Sequence, residues 1–135
     1  MKELQIFAEA LADASRAMLI EAAHRSFTGE MKSDGSPVTV IDQAVEMRLR
    51  EMISDAYPDH GIDGEEYGEI NPDKGYVWVL DPIDGTLPFI AGIPVYGTLI
   101  ALLQDGIPVL GIIDIPATGE RWVGAAGSQT KHNGA

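Results

Sequence analysis

Apolar residues recur at three- and four-residue steps through Leu4, Phe7, Ala8, Leu11, Ala14, Met18 and Ala22. That period predicts an amphipathic helix over about residues 2–27, stopped near Gly29. Residues 29–38 are polar, punctuated by Gly and Pro, and read as a loop. A second stripe, Ile41, Val45, Leu49, Met52 and Ile53, predicts a helix from about Thr39 to Ala56, ended by Tyr57-Pro58. Beyond it, strand-like runs follow at Tyr76–Leu80, Tyr96–Leu103, 107–115 and Glu120–Ala125. Gln104-Asp105-Gly106 reads as a hairpin turn, and Pro116-Ala117-Thr118-Gly119 turns the chain again. Such short links favour antiparallel neighbours, because parallel ones need a crossover of roughly a dozen residues or more. The expected fold class is α+β: a two-layer sandwich of two N-terminal helices packed on a mainly antiparallel sheet.

Composition sets outer bounds on this picture. The 135 residues, 45% hydrophobic and 22% charged, suit one globular domain with a real core. No cysteine is present, which excludes disulfides, thiolate zinc sites and cysteine nucleophiles. The net charge of −12 argues against nucleic acid or an anionic membrane as partner. The uncharged stretch from Gly85 to Gln104 is long enough for a membrane helix, but Pro88, Gly92, Pro94 and Gly97 interrupt it. Buried strand and turn is the better reading. The N-terminus lacks a signal-peptide pattern, and a cytoplasmic location fits.

The acid is concentrated. Asp55 to Asp84 holds nine acidic residues and one base, −8 of the −12. Within it, Asp81-Pro82-Ile83-Asp84-Gly85-Thr86 follows a strand, so two carboxylates can converge at a turn fixed by Pro and Gly. Hard cations such as Mg²⁺ take carboxylate and carbonyl oxygens. Two such ions, about 4 Å apart, can clamp both oxygens of a phosphoryl displacement. The N–H groups of Gly85 and Thr86 would face an anion if they open a short helix through Phe89. The alternative is a plain turn after a strand. Glu65, in Gly64-Glu65-Glu66, can join the cluster and orient a water as general base, although paired Glu is commonly a surface feature. Thr39-Val40-Ile41-Asp42 reads as a capping box with Asp42 at its third helical position; Asp42 can serve both cap and site. Phosphate-loop, dinucleotide, nucleophile-elbow and HExxH patterns are absent, and an EF-hand alignment from Asp59 fails. His60 reads as a surface residue of a polar turn, and Trp78 and Trp122 as core.

Taken together, Lys32-Ser33-Asp34-Gly35-Ser36-Pro37-Val38-Thr39, Asp42, Gly64-Glu65-Glu66 and Trp78-Val79-Leu80-Asp81-Pro82-Ile83-Asp84-Gly85-Thr86 resemble the inositol monophosphatase family of Mg²⁺-dependent, lithium-sensitive phosphatases. The resemblance implies hydrolysis of a small phosphorylated metabolite by water activated at two or three Mg²⁺ ions. It implies that Glu65, Asp81 and the carbonyl of Ile83 hold a first metal, that Asp81 and Asp84 contribute to a second, and that Glu65 reaches a third. Asp84, Gly85 and Thr86 would line the phosphate. Glu65 and Thr86 would position the water, with Asp42 supporting Thr86. Phe89-Ile90-x-Gly92-x-Pro94 and Gly111-Ile112-Ile113-Asp114-x-Pro116 look more like the bacterial histidinol-phosphatase branch than the inositol branch. That implies L-histidinol phosphate as substrate and a role in histidine synthesis, with inositol monophosphate or another small phosphate as the alternative. The branch usually places a basic residue after Asp-Gly-Thr, where this chain has Leu87-Pro88. Family members are longer, and form homodimers; their further half supplies another metal-binding Asp from a Trp-Asp motif, absent here. The chain is therefore expected to be an N-terminal metal-binding domain over 1–135 without the C-terminal domain, weak or inactive alone. A non-catalytic module that keeps the fold and part of the metal site is the remaining alternative.

Overall fold

A computed structural model describes residues 1–26 and 37–135. Gly29 and the segment Lys32–Ser36 of the quoted motif lie outside the described residues. Helix α1 spans Lys2–Ser26 and α2 spans Pro37–Ala56. Proline suits a first helical turn because its missing N–H would have no partner there. The early start corrects the capping-box reading: Thr39 lies inside the first turn, not before it. At the other end Tyr57 still donates to the Ile53 carbonyl at 2.7 Å before Pro58 stops the helix.

Seven strands follow: β1 (Gly61–Gly64), β2 (Gly68–Ile70), β3 (Tyr76–Asp84), β4 (Gly97–Gln104), β5 (Ile107–Ile115), β6 (Glu120–Ala125) and β7 (Lys131–His132). A short helix, α3 (Thr86–Ala91), lies between β3 and β4. The strands form one sheet in the order β2-β1-β3-β4-β5-β6-β7. All neighbours are antiparallel except β1 and β3, which run parallel. The small hairpin β1–β2 makes this possible, since the chain uses β2 and the following turn to cross back before entering β3. The β4–β5 turn is the hairpin expected at Asp105-Gly106, both with positive φ, 51° and 81°.

One face of the sheet carries the helices. Ala8, Leu11, Ala12 and Leu19 of α1 and Val45, Leu49 and Ile53 of α2 are fully buried against Trp78, Leu80, Ile100, Leu102, Leu110 and Ile112. The expected apolar stripes are the ones buried. On the opposite face, Val79, Leu99, Ile113 and Trp122 line an open apolar depression of about 500 Å³. Trp122 thus lies outside the core, stacked on His132 with ring centres 4.5 Å apart. Trp78 is buried as expected.

Candidate functional site

The parallel pair β1–β3 builds the site. Its register sets Gly64 opposite Leu80, so the next residues of the two strands, Glu65 and Asp81, emerge side by side. The Glu65 N–H donates to the Leu80 carbonyl at 3.3 Å and ties the two ends together. Sequence reasoning placed Glu65 with Asp81 from its position ahead of the strand and from the family resemblance; the parallel pair is what makes them neighbours.

Asp81 and Asp84 are brought together by a break in the strand, not by a turn after it. Residues three apart on a regular strand point to opposite faces. Here β3 continues through Asp84, and its pairing with β4 shifts between Asp81 and Asp84, with Asp81 opposite Leu99 and Asp84 opposite Gly97. Pro82 and Ile83 are consecutively buried, and Asp84 returns to the exposed side. This bulge is where proline is tolerated in a sheet, since it has no N–H to give. The bulge is held from behind. Thr98 Oγ1 donates to the Pro82 carbonyl at 2.9 Å and meets Ser15 Oγ at 2.6 Å, both hydroxyls being fully buried. The strand then ends at Gly85, whose φ of 88° starts α3.

Asp42 reaches the bulge from α2. It is 7% exposed, and its carboxylate accepts the Ile83 N–H. Burial, followed by the charges of Glu66 and Glu65, pushes its pKa up to about 7. Asp81 is pushed up to about 7 as well, first by burial, then by a hydrogen bond shared with Glu65 and by the charges of Glu65, Asp84 and Asp42. Neighbouring carboxylates that raise one another in this way make a site short of positive charge. The Oδ1 atom of Asp81 is buried without a hydrogen-bond partner. An unpartnered buried carboxylate oxygen among three further carboxylates fits a hard divalent cation in donor chemistry. The side chains as placed do not close on one point: among the described residues, no group of three or more His, Asp or Glu is converged enough to hold a metal ion. Thr86 is exposed on the first turn of α3, and among the described residues Asp42 bonds Ile83 and not Thr86.

Two residues of this region escaped sequence reasoning. Glu46, fully buried on α2, accepts the N–H groups of Glu66 and Tyr67, each at 2.9 Å, and pairs with Arg50 at 2.9 Å. Arg50 also donates to the Gly68 carbonyl. The available signal was a Glu and an Arg four apart beside the apolar stripe Val45, Leu49, Ile53. His60 is not a plain surface residue either. It stacks on Tyr57 with ring centres 4.5 Å apart, and its Nδ1 accepts the Trp78 indole N–H at 3.0 Å.

The chain matches the model of the inositol monophosphatase family over residues 1–135. It is 50% identical to the bifunctional phosphatase IMPL2, chloroplastic, of Arabidopsis thaliana, covering 98% of this chain and 40% of that protein. It is 40% identical to a histidinol-phosphatase of Chlorobaculum parvum, covering 98% of this chain and 51% of the other. Among solved structures, an inositol monophosphatase from Zymomonas mobilis superposes with a TM-score of 0.83 at 41% identity, over 98% of this chain and 51% of that one. The chain thus spans about half the length of the relatives it matches.

Proposed function

The chain belongs to the inositol monophosphatase family, and on that premise we propose that it is the metal-binding part of a phosphomonoesterase acting on a small phosphorylated metabolite. L-histidinol phosphate is the proposed substrate. The observation that carries the reading is the pairing of Glu65 with Asp81 at the ends of parallel β1 and β3, with one oxygen of Asp81 buried and unpartnered. Support for the substrate comes from the histidinol-phosphatase name of a relative 40% identical and from the branch-like segments after Thr86. An inositol monophosphate is the competing substrate, supported by the Zymomonas mobilis structure.

Glu65, Asp81, Asp84 and the Ile83 carbonyl would hold Mg²⁺. When bound, the ion would neutralise phosphate charge and lower the pKa of a water molecule. The chain's own residues have separate tasks. Asp42 accepts the Ile83 N–H and so fixes the peptide that follows the Asp81–Pro82 bend. Thr98 holds the Pro82 carbonyl from inside the core, so the bulge cannot flatten without breaking a buried hydrogen bond. Glu65 would take a proton from the attacking water on a carboxylate oxygen, with Thr86 orienting that water. Gly85 and Thr86 would offer backbone N–H groups to the phosphate.

Phosphate release from L-histidinol phosphate and from myo-inositol 1-phosphate, with Mg²⁺ titrated, tests the reading. A version extended to the length of its relatives is expected to turn over histidinol phosphate faster, and Glu65→Gln to lose at least about 100-fold of that rate, the scale of positioned proton transfer. The 135-residue chain is expected to be weak or inactive. An extended version that releases phosphate from neither ester sinks the proposal.

A further inference from the structure

We propose that Glu46 and Arg50 are positioning residues for the metal site, a role that rests on the metal reading above. Among the described residues, their hydrogen bonds go to each other and to the backbone of Glu66, Tyr67 and Gly68, not to Asp81. They act through the backbone of the turn that carries Glu65.

The turn joins β1 to β2 across residues 65–67. Glu65 must face Asp81, so its peptide must not rotate. The preceding residue is held by pairing with β3, since Gly64 lies opposite Leu80. The following two are held by a single buried carboxylate: Oε1 of Glu46 accepts the Glu66 N–H at 2.9 Å, and Oε2 accepts the Tyr67 N–H at 2.9 Å. Hydrogen bonds to a charged acceptor are roughly twice as strong as neutral ones. The carboxylate is fully buried and paired with the Arg50 guanidinium, whose Nε lies 2.9 Å from Oε2. Arg50 spends a second N–H on the Gly68 carbonyl and sits 5.9 Å from the centre of the Tyr67 ring. One ion pair on α2 therefore grips Glu66, Tyr67 and Gly68, the three residues immediately after Glu65.

The fit leaves no slack. A Cβ added at Gly64 would lie 2.4 Å from the Glu46 carboxyl carbon. A side chain at Gly64 would displace the Glu46 carboxylate, so the glycine of Gly64-Glu65-Glu66 answers to the approach of Glu46 and not to a left-handed backbone. A surface loop with paired acids would need none of this. A buried ion pair is also a poor way to gain stability, because desolvation offsets most of the attraction. Its placement against the backbone beside Glu65 is what gives it a task.

The test uses this chain with Mn²⁺ alone as probe, titrated by electron paramagnetic resonance at fixed ionic strength. Amide hydrogen exchange and far-ultraviolet circular dichroism are recorded on the same samples. Glu46→Gln keeps the shape and loses the charge. It is expected to retain the helical spectrum, to exchange the Glu66 and Tyr67 amides faster, and to raise the Mn²⁺ dissociation constant by tenfold or more, the usual size for groups that orient metal ligands. Glu65→Gln is the control: it should weaken Mn²⁺ while leaving those two amides protected. If Glu46→Gln frees the amides and Mn²⁺ affinity stays within twofold, the positioning role is wrong although the metal reading stands. If the amides stay protected, the grip itself is wrong. If the unsubstituted chain binds no Mn²⁺, the metal reading falls and takes this inference with it. Should Glu46→Gln fail to fold, Arg50→Lys retains the positive charge and loses the contact to Gly68. It should then loosen the same amides and raise the Mn²⁺ dissociation constant at least threefold; unchanged affinity overturns the role.

Discussion

His60 shows how a side chain outside the candidate site is tied to the core by its protonation state. Its Nδ1 accepts the indole N–H of buried Trp78, which only an unprotonated nitrogen can do. Burial lowers its pKa from the ordinary 6.5, with Asp59 pulling the other way. The folded state therefore binds fewer protons at His60 than the unfolded state. Stability from this residue is complete above pH 6.5 and is lost as pH falls below it toward the folded pKa. His60→Gln keeps an acceptor for the indole and cannot be protonated. The stability of the native chain relative to His60→Gln, from urea melts, should decline between about pH 7 and pH 5. A pH-independent difference would remove the linkage. The residues of the candidate site were more legible than His60. Asp81 and Asp84 lie in one short segment whose spacing suggests convergence, and Glu65 joined them through its position ahead of the strand and the family resemblance. Glu46 and Arg50 were hidden because their partners are backbone N–H and C=O groups some twenty positions away, and sequence spacing carries no trace of such a bond.

Helix α1 is fastened to the far strands by charge as well as by apolar packing. Asp114, fully buried on β5, accepts Arg16 Nε at 3.0 Å, Arg16 Nη2 at 2.6 Å and Arg121 Nε at 2.7 Å. Arg121 on β6 pairs in turn with Asp13 at 2.8 Å, returning to α1. Asp114→Asn leaves two guanidinium groups facing a neutral amide. Because Arg16 is partly exposed, the cost should sit near the low end for a broken buried pair, about 3 kcal/mol. The urea midpoint should fall with the slope unchanged; an unmoved midpoint would show the network to be neutral. Among the elements themselves, the long periodic helices and strands β4, β5 and β6 were readable from pattern. Strands β1, β2 and β7 were not, because four, three and two residues are too short for alternation to register. That gap concealed the parallel pairing of β1 with β3, and with it the reason Glu65 and Asp81 meet. The bulge in β3 was likewise read as a turn, since a proline inside a strand argues against the strand unless a bulge is allowed.

Acidity of the whole molecule works against a site for phosphate esters unless it also gathers cations. The chain carries −12, and a general field of that sign repels an anionic substrate. Ordinary salt screens this field, with a Debye length of about 10 Å at 0.1 M, and relieves self-repulsion wherever the charges sit. A divalent ion held by Glu65, Asp81 and Asp84 would do something salt cannot: it would bind the folded state alone and stabilise it by mass action. The two effects separate at matched ionic strength. Replacing part of the sodium chloride by millimolar magnesium chloride should raise the melting temperature, each 1 kcal/mol of binding being worth roughly 3–5 °C for a chain of this size. Asp81→Asn should abolish that increment while leaving the response to sodium chloride intact. Equal melting temperatures in the two salts would mean that the acids between Asp55 and Asp84 act only as diffuse charge. A magnesium increment that survives Asp81→Asn would place the ion elsewhere on the same surface. The predicted result, an increment confined to magnesium and dependent on Asp81, is the one that turns a repulsive surface into a site that attracts phosphate, because the bound ion becomes the largest local charge.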